Sequence, residues 1–137
     1  MDNHLNQQAI QSLNGSALAY MGDSVFEQAV RHHVLVQGGT QVQNLHKAAV
    51  KFVSAQAQAR IMHQWLADEQ LLTADEITIY KRGRNHKANT KAKNASIGDY
   101  RQATGFEALL GWLYLTQQDQ RLAQLIALAI KMIEEED

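Results

Sequence analysis

The sequence contains no cysteine, no proline and no long hydrophobic run. Without cysteine, the chain has no disulfide, no thiolate metal site and no cysteine nucleophile. Without proline, nothing interrupts long helices, and runs of valine, isoleucine and threonine typical of strands are missing too. The longest apolar stretches, near 106–115 and 125–130, are too short to span a bilayer. The first ten residues do not resemble a signal peptide, so we predict a soluble cytoplasmic protein.

The pattern of apolar residues predicts an all-α fold. The 137 residues, 45% of them hydrophobic, are enough for one domain with a core. We predict five helical stretches: about 5–36, either continuous or broken before Leu13; 41–67 with Thr40 as N-cap; 73–83; 97–116; and a last one for which Asp119 is the N-cap. Thr73 and Glu76 have the spacing of a capping box. We expect a single helical domain over 1–137, with an acidic tail at 134–137.

Two carboxylates stand alone in apolar segments. Asp23 is the only charge in "SALAYMGDSVF", residues 16–26, and Glu107 is the only charge between Arg101 and Asp119. Because a carboxylate is costly to desolvate without a partner, each of them needs an explanation. Both predicted helices are apolar on nearly all sides, as central helices are, so the two carboxylates could meet in the fold. A hard divalent cation such as Mg²⁺ would suit such a pair.

Structural interpretations of the same carboxylates remain open at this point. Glu107 lies three residues after Thr104, which is also the spacing of a capping box at a helix start. Asp23 follows a glycine and could mark a turn. It could also pair with a buried arginine, Arg31 or Arg60. From periodicity alone, the functional and structural interpretations are about equally supported.

A basic segment interrupts an otherwise acidic chain. Residues 81–101 hold seven lysines and arginines against one acidic residue. Such a block suits phosphate contact, and the absence of aromatic residues over 81–99 favours a duplex over a stacked single strand. The alternative is a solvated surface loop. The candidate RNA-binding residues are Lys81, Arg82, Arg84, Asn85, Lys87, Lys91 and Lys93.

Two motifs resemble the catalytic domain of the ribonuclease III family. "LAYMGDSVFE" is similar to its signature segment, and "GFEALLGWLYL" is similar to its second acidic motif, in the same order along the chain. Asp23 and Glu107 match two of the four acidic positions of the family, whereas Ala19 and Thr104 occupy the other two. With no double-stranded-RNA-binding domain expected to follow, the chain resembles a short bacterial branch of the family.

The resemblance implies a specific activity. By it, Asp23 and Glu107 are the catalytic residues and the ligands of Mg²⁺, with Mn²⁺ as an alternative, and Glu27 or Thr104 could assist. The activity implied is double-stranded-RNA cleavage that matures the large-subunit (23S) ribosomal RNA precursor, leaving 5′-phosphate and 3′-hydroxyl ends. A two-fold homodimer would pack through Tyr20 and Met21, and a large-subunit ribosomal protein is a further candidate partner.

Three alternatives to that implied picture stay open. The missing acids could mean a non-catalytic RNA-binding module on the same fold, associated with ribosome assembly. A second alternative is a helical interaction protein without an RNA role, which the basic segment disfavours. For Tyr20, ordinary core packing is the alternative to a dimer interface.

Overall fold

The structure is a computed structural model that describes residues 5–86 and 96–136. Within these ranges every regular element is an α-helix, so the all-α prediction is confirmed. None of the described helices has the length and apolar character needed to cross a membrane. The helices are α1 Gln7–Gln11, α2 Gly15–Val36, α3 Val42–Val53, α4 Ala55–Ala67, α5 Ala74–Arg84, α6 Ile97–Leu115 and α7 Asp119–Glu135.

Side-chain caps fix the starts of the two helices that lead to the site. In the capping box of α5, the Glu76 N–H donates to the Thr73 hydroxyl (3.1 Å), and the Thr73 N–H donates to the Glu76 carboxylate (2.9 Å). Ser96 caps α6 by accepting from the Asp99 N–H at 3.0 Å. Because α6 therefore begins at Ile97, Glu107 lies in the middle of a helix, and the capping-box interpretation of Glu107 is wrong.

The predicted long helix over 41–67 is two helices. Ser54 adopts an extended conformation (ψ 154°), and its hydroxyl accepts from the Ala57 N–H at 3.1 Å to start α4. At the same corner the Gln58 side-chain amide donates to the Val53 carbonyl at 3.3 Å. The helix therefore breaks at a serine that caps the next helix, although the apolar period continues through this position.

Two predicted caps are also wrong. The N-cap of α3 is Gln41 rather than Thr40, and that of α7 is Gln118 rather than Asp119; neither makes a side-chain capping hydrogen bond. At α7 the reason is the preceding turn. Gln117 has a positive φ of 60°, and the Gln118 N–H donates to the Leu113 carbonyl at 2.9 Å, which closes α6 before α7 starts.

Helix α6 is the centre of the fold and packs against α2, α4 and α5. Phe106 of α6 is fully buried, with Phe26 of α2 edge-on at 4.9 Å and Trp65 of α4 at 5.5 Å between ring centroids. Helices α2 and α6 cross at Gly22 and Gly111. A Cβ at Gly22 would overlap the carbonyl oxygen of Glu107, and one at Gly111 would overlap the carbonyl oxygen of Leu18. The two helix backbones therefore touch beside Asp23.

A buried ion pair fastens α7 to the start of α5. Arg121 donates to both carboxylate oxygens of Glu76 at 2.8 Å and to the Leu71 carbonyl at 2.6 Å. Glu76 is only 2% exposed. Burial alone would raise the pKa of Glu76, but hydrogen bonds from Arg121 and from the Thr73 backbone hold that pKa below its usual value of 4.5.

The acidic end of the chain belongs to the packed structure. Helix α7 continues through Glu135. Glu134 accepts from Gln37 at 2.7 Å and lies 2.9 Å from the His33 ring nitrogen. Glu136 pairs with Arg60 at 3.0 Å. The described part of the predicted tail thus bonds to α2 and α4, and Asp137 lies outside the described residues.

Candidate active site

The α2–α6 crossing brings Asp23 and Glu107 together. Gly22 removes the side chain that would hold the helices apart, and Asp23 is the next residue on α2. Its carboxyl group is within hydrogen-bonding reach of Glu107. Asp23 is exposed, whereas Glu107 is partly covered by the helices around it. The pair therefore forms the floor of a site that is open on the Asp23 side.

The environment of Glu107 favours its neutral form. Burial is the largest cause, and the hydrogen bond and negative charge of Asp23 add to it, so that the pKa of Glu107 rises to about 9. Glu27 adds a further negative charge in the same direction, while a hydrogen bond from Gln58 acts against it. A carboxyl with such surroundings is suited to receive a cation, which would stabilise its charged form.

The structural interpretations of Asp23 do not hold. Helix α2 runs unbroken from Gly15 to Val36, so Asp23 is not at a turn. The arginines proposed as partners are engaged elsewhere, since Arg31 pairs with Glu27 at 3.1 Å and Arg60 pairs with Glu136 at 3.0 Å.

The chemistry of these donors fits a hard divalent cation. Among the described residues, no group of three or more histidine, cysteine, aspartate or glutamate side chains is arranged to hold a metal. Mg²⁺, however, commonly uses only one or two carboxylates and completes its shell with water and phosphate. Asp23 and Glu107 could supply two such carboxylates. The hydroxyl of Thr104 instead donates to the Tyr100 carbonyl of its own helix at 2.9 Å.

The basic residues at the end of α5 have different surroundings. Lys81 and Asn85 are exposed. Arg84 lies over the Tyr80 ring, 5.5 Å from its centroid, and donates to Asn85 at 3.0 Å. Arg82 is directed inward, where it donates to the backbone carbonyls that join α1 to α2, those of Gln11 (3.3 Å) and Leu13 (3.2 Å). Three further candidates, Lys87, Lys91 and Lys93, lie outside the described residues.

The basic end of α5 reaches the helix that carries Glu107. A Cβ at Gly83 would overlap the side chain of Ala108 and the carbonyl oxygen of Thr104. These two residues flank Glu107 within one turn of α6. The end of α5 that carries Lys81 and Arg84 therefore packs against the part of α6 that carries Glu107, so a polyanion could contact both.

The predicted interface residues lie on α2 near the site. Tyr20 is 82% exposed, so the alternative of core packing is wrong for it, and Met21 is half-buried. Further along α2, an open groove runs between α2 and α7; Val25, Ala29 and Ile126 line it, together with several polar and charged side chains.

Gln58 is a site residue that the sequence interpretation missed. It is 1% exposed, and its amide donates to Glu107 at 3.4 Å. A signal was present in the sequence, because Gln58 shares the apolar stripe of Ile61, Met62 and Trp65 at helical spacing. A glutamine on a face otherwise made of core residues needs a buried polar partner.

Comparisons with known proteins identify a family, related sequences and a solved structure that are similar to this chain. A family model described as "Ribonuclease III domain" matches residues 16–118. A protein named Mini-ribonuclease 3 from Enterococcus faecalis is 50% identical over 123 residues, which cover 90% of this chain and 92% of that protein. One of the same name from Streptococcus pneumoniae is 47% identical, covering 89% and 94% of the two chains. A crystal structure of a Fusobacterium nucleatum protein superposes with a TM-score of 0.78 at 30% identity, covering 89% of this chain and 95% of that one.

Proposed function

Because the chain belongs to the ribonuclease III domain family and is an endoribonuclease of the Mini-ribonuclease 3 type, we propose that Asp23 and Glu107 form its active site. The family and enzyme class predicted from the two motifs are thereby confirmed. The observation that carries the site proposal is the meeting of two otherwise isolated carboxylates at the α2–α6 crossing. We propose further that residues 1–137 act as one catalytic domain.

Asp23 and Glu107 together would hold a divalent ion, Mg²⁺ or Mn²⁺. When bound, such an ion neutralises charge on a phosphate and lowers the pKa of a coordinated water. The reaction is hydrolysis: water oxygen bonds to phosphorus, the bond to the 3′-oxygen breaks, and that oxygen takes up a proton. The products carry a 5′-phosphate and a 3′-hydroxyl. Glu107 would release its proton to solvent when a cation is held, and the charge of the cation would offset the repulsion between the two carboxylates.

The proposed substrate is double-stranded RNA, specifically the precursor of the large-subunit (23S) ribosomal RNA. Lys81 is exposed at the basic end of α5, and Arg84 and Asn85 follow it, so a duplex backbone could contact these residues while a phosphate lies at the carboxylate pair. The resemblance to the short bacterial branch supports the ribosomal precursor as substrate and a large-subunit ribosomal protein as a helper.

Cutting both strands of a duplex needs two sites, and a two-fold homodimer would supply them. A tyrosine that is 82% exposed on the helix carrying Asp23 is well placed for such an interface. A large exposed aromatic side chain is typical of a protein contact surface. We therefore propose that Tyr20 and Met21 pack against the same helix of a second copy.

A cleavage assay on a duplex stem of 23S precursor RNA tests this function. The wild-type protein should cut the stem with Mg²⁺ and not with EDTA. Asp23→Asn should lower the cleavage rate by at least about a hundredfold, since it removes a charged metal ligand at constant volume. The matched control is Asp75→Asn, an exposed aspartate on α5 that should cut at the wild-type rate.

Two outcomes would contradict the proposal. Cleavage that persists in EDTA or in Asp23→Asn would remove the carboxylate pair from the reaction. Salt-sensitive RNA binding without cleavage by the wild-type protein would favour the non-catalytic RNA-binding module.

A further inference from the structure

Gln58 is a buried polar residue whose bonds are incomplete. It lies in the first turn of α4 and is 1% exposed. Its amide nitrogen donates to the Val53 carbonyl at 3.3 Å and to Oε2 of Glu107 at 3.4 Å. Its side-chain oxygen is buried and has no hydrogen-bond partner among the described residues. The side chain thus uses both of its N–H groups and leaves its acceptor unpaired.

Such an arrangement is unfavourable for stability alone. A buried acceptor without a partner loses its hydration and gains nothing in return. Methionine has nearly the same shape and would fill the same space without that loss. The glutamine is therefore explained by what its N–H groups hold rather than by packing.

We propose that Gln58 is a positioning residue that fixes the Glu107 carboxylate for metal binding. One N–H is anchored on the Val53 carbonyl at the α3–α4 corner, so the direction of the other N–H toward Glu107 is set by the backbone. Holding Oε2 from the α4 side would leave the second carboxylate oxygen of Glu107 for a cation shared with Asp23. The inference rests on the proposed function, because it assigns Gln58 a role at the same site.

A neutral donor suits this role better than a charged one. A lysine or arginine at this position would pair with Glu107 and compete with a divalent cation for it. An amide orients the carboxylate while leaving its negative charge uncompensated. Partners that orient metal ligands in this way typically change metal affinity or activity by 10–100-fold when removed.

The decisive experiment measures Mn²⁺ binding to the full chain without RNA, by titration calorimetry or by the electron paramagnetic resonance signal of free Mn²⁺. Gln58→Met should weaken Mn²⁺ binding by about tenfold or more. The matched control is Gln64→Met, the same change on the exposed face of α4, which should bind like wild type. The melting temperature of Gln58→Met should stay close to that of the wild-type protein, because losing the two N–H donors and losing the unpaired acceptor act in opposite directions on stability.

The outcomes separate the two proposals. If the wild-type protein binds Mn²⁺ and Gln58→Met binds it equally well, the positioning role is overturned. If the wild-type protein binds no Mn²⁺, the proposed metal site itself fails. Loss of cleavage by Gln58→Met that is restored by raising the Mg²⁺ concentration would support the positioning role, which a purely structural role would not produce.

If Gln58→Met does not fold, the positioning role of Gln58 can be tested on the wild-type protein. In ¹⁵N-labelled wild-type protein, the side-chain NH₂ signals of Gln58 should shift on addition of Mg²⁺, with the same midpoint as the backbone amide of Asp23. A shift at Asp23 with no change at Gln58 would overturn the inference.

Discussion

Gly22 lies directly against the backbone carbonyl of Glu107, and this contact brings the carboxylate of the next residue, Asp23, to the Glu107 side chain. The tightest approach between α2 and α6 and the candidate active site are therefore the same place. Separating the helices at this point would disturb the packing around Phe106 and the carboxylate pair together.

We predict that Gly22→Ala destabilises the protein by about 3 kcal/mol or more, because the new methyl group would overlap a backbone atom that cannot move without the whole helix. Chemical denaturation followed by circular dichroism measures this loss. Gly98→Ala is the control, since its Cβ would meet only the Ser96 hydroxyl oxygen at 3.8 Å. Equal stability of Gly22→Ala and wild type would contradict the close crossing.

The metal-free protein should become less stable as the pH rises from about 4.5 to about 9. The folded state keeps the proton on Glu107 up to about pH 9, whereas the unfolded state loses it near pH 4.5, so the folded state binds more protons throughout this window. The slope should reach at most about 1.4 kcal/mol per pH unit. Thermal unfolding in EDTA at several pH values measures it, and Glu107→Gln should flatten the dependence.

The proton held by Glu107 can also be detected by its release when a metal binds. Mn²⁺ binding at pH 7.5 should release close to one proton per site, which calorimetry detects as a difference in apparent enthalpy between buffers of different ionisation heat. Proton release that is unchanged in Glu107→Gln would show that the proton comes from another group.

The buried pair between Arg121 and Glu76 should matter for stability and not for metal binding. Glu76→Gln is expected to lower the stability by about 2 kcal/mol, because the partly exposed Arg121 loses its charge-assisted hydrogen bonds to a buried carboxylate. Since the pKa of Glu76 is lowered in the folded state, the wild-type contribution should be lost as the pH falls below 4.5. Lys131→Met, which removes an exposed pair at 4.0 Å, should change stability by less than about 0.5 kcal/mol.

Lys81 and Arg82 are neighbours with different expected effects on RNA binding. Lys81→Ala should reduce the slope of log affinity against log salt by about 0.9, as expected for one lost phosphate contact. Arg82→Ala should leave that slope nearly unchanged and lower stability by about 1 kcal/mol, because its guanidinium holds the Gln11 and Leu13 carbonyls. Filter binding at several salt concentrations distinguishes the two variants. If Arg82→Ala reduced the salt slope as much as Lys81→Ala does, the structural role of Arg82 would be contradicted.

Tyr20→Asp should convert the proposed dimer into a monomer, since it places a charge in an apolar interface. Sedimentation velocity measures the mass directly, and the monomer should keep the wild-type helical content because Tyr20 does not contribute to the core. Gln64→Asp on the exposed face of α4 is the control. A wild-type protein that sediments as a monomer would contradict the dimer.

The features that sequence predicted correctly are local ones. The capping box at Thr73 depends on residues three apart, and the isolation of Asp23 and Glu107 is visible in the residues that flank each of them. The helix break at Ser54 was missed because the serine interrupts no apolar period, and a single hydroxyl competing for a backbone N–H decides it.

The features that sequence did not predict depend on distant partners. Arg82 was grouped with the RNA-binding residues because its neighbours are basic, while the carbonyls that it bonds belong to the α1–α2 connection. The apolar stripe that Gln58 shares indicates that it is buried, but its role depends on Glu107 and on the corner at Val53. The hydrogen bonds of Arg82 and Gln58 can be predicted only when the packing of the helices is known.

The unpaired oxygen of Gln58 and the enclosed carboxyl of Glu107 also bear on how this enzyme should be engineered. Replacing either side chain with a hydrocarbon of similar size would relieve an unfavourable burial, so a screen for heat resistance alone would be drawn to both positions. The variants selected by such a screen would be heat-stable but inactive. A library meant to improve this protein should therefore keep these two positions fixed, or select for turnover in every round.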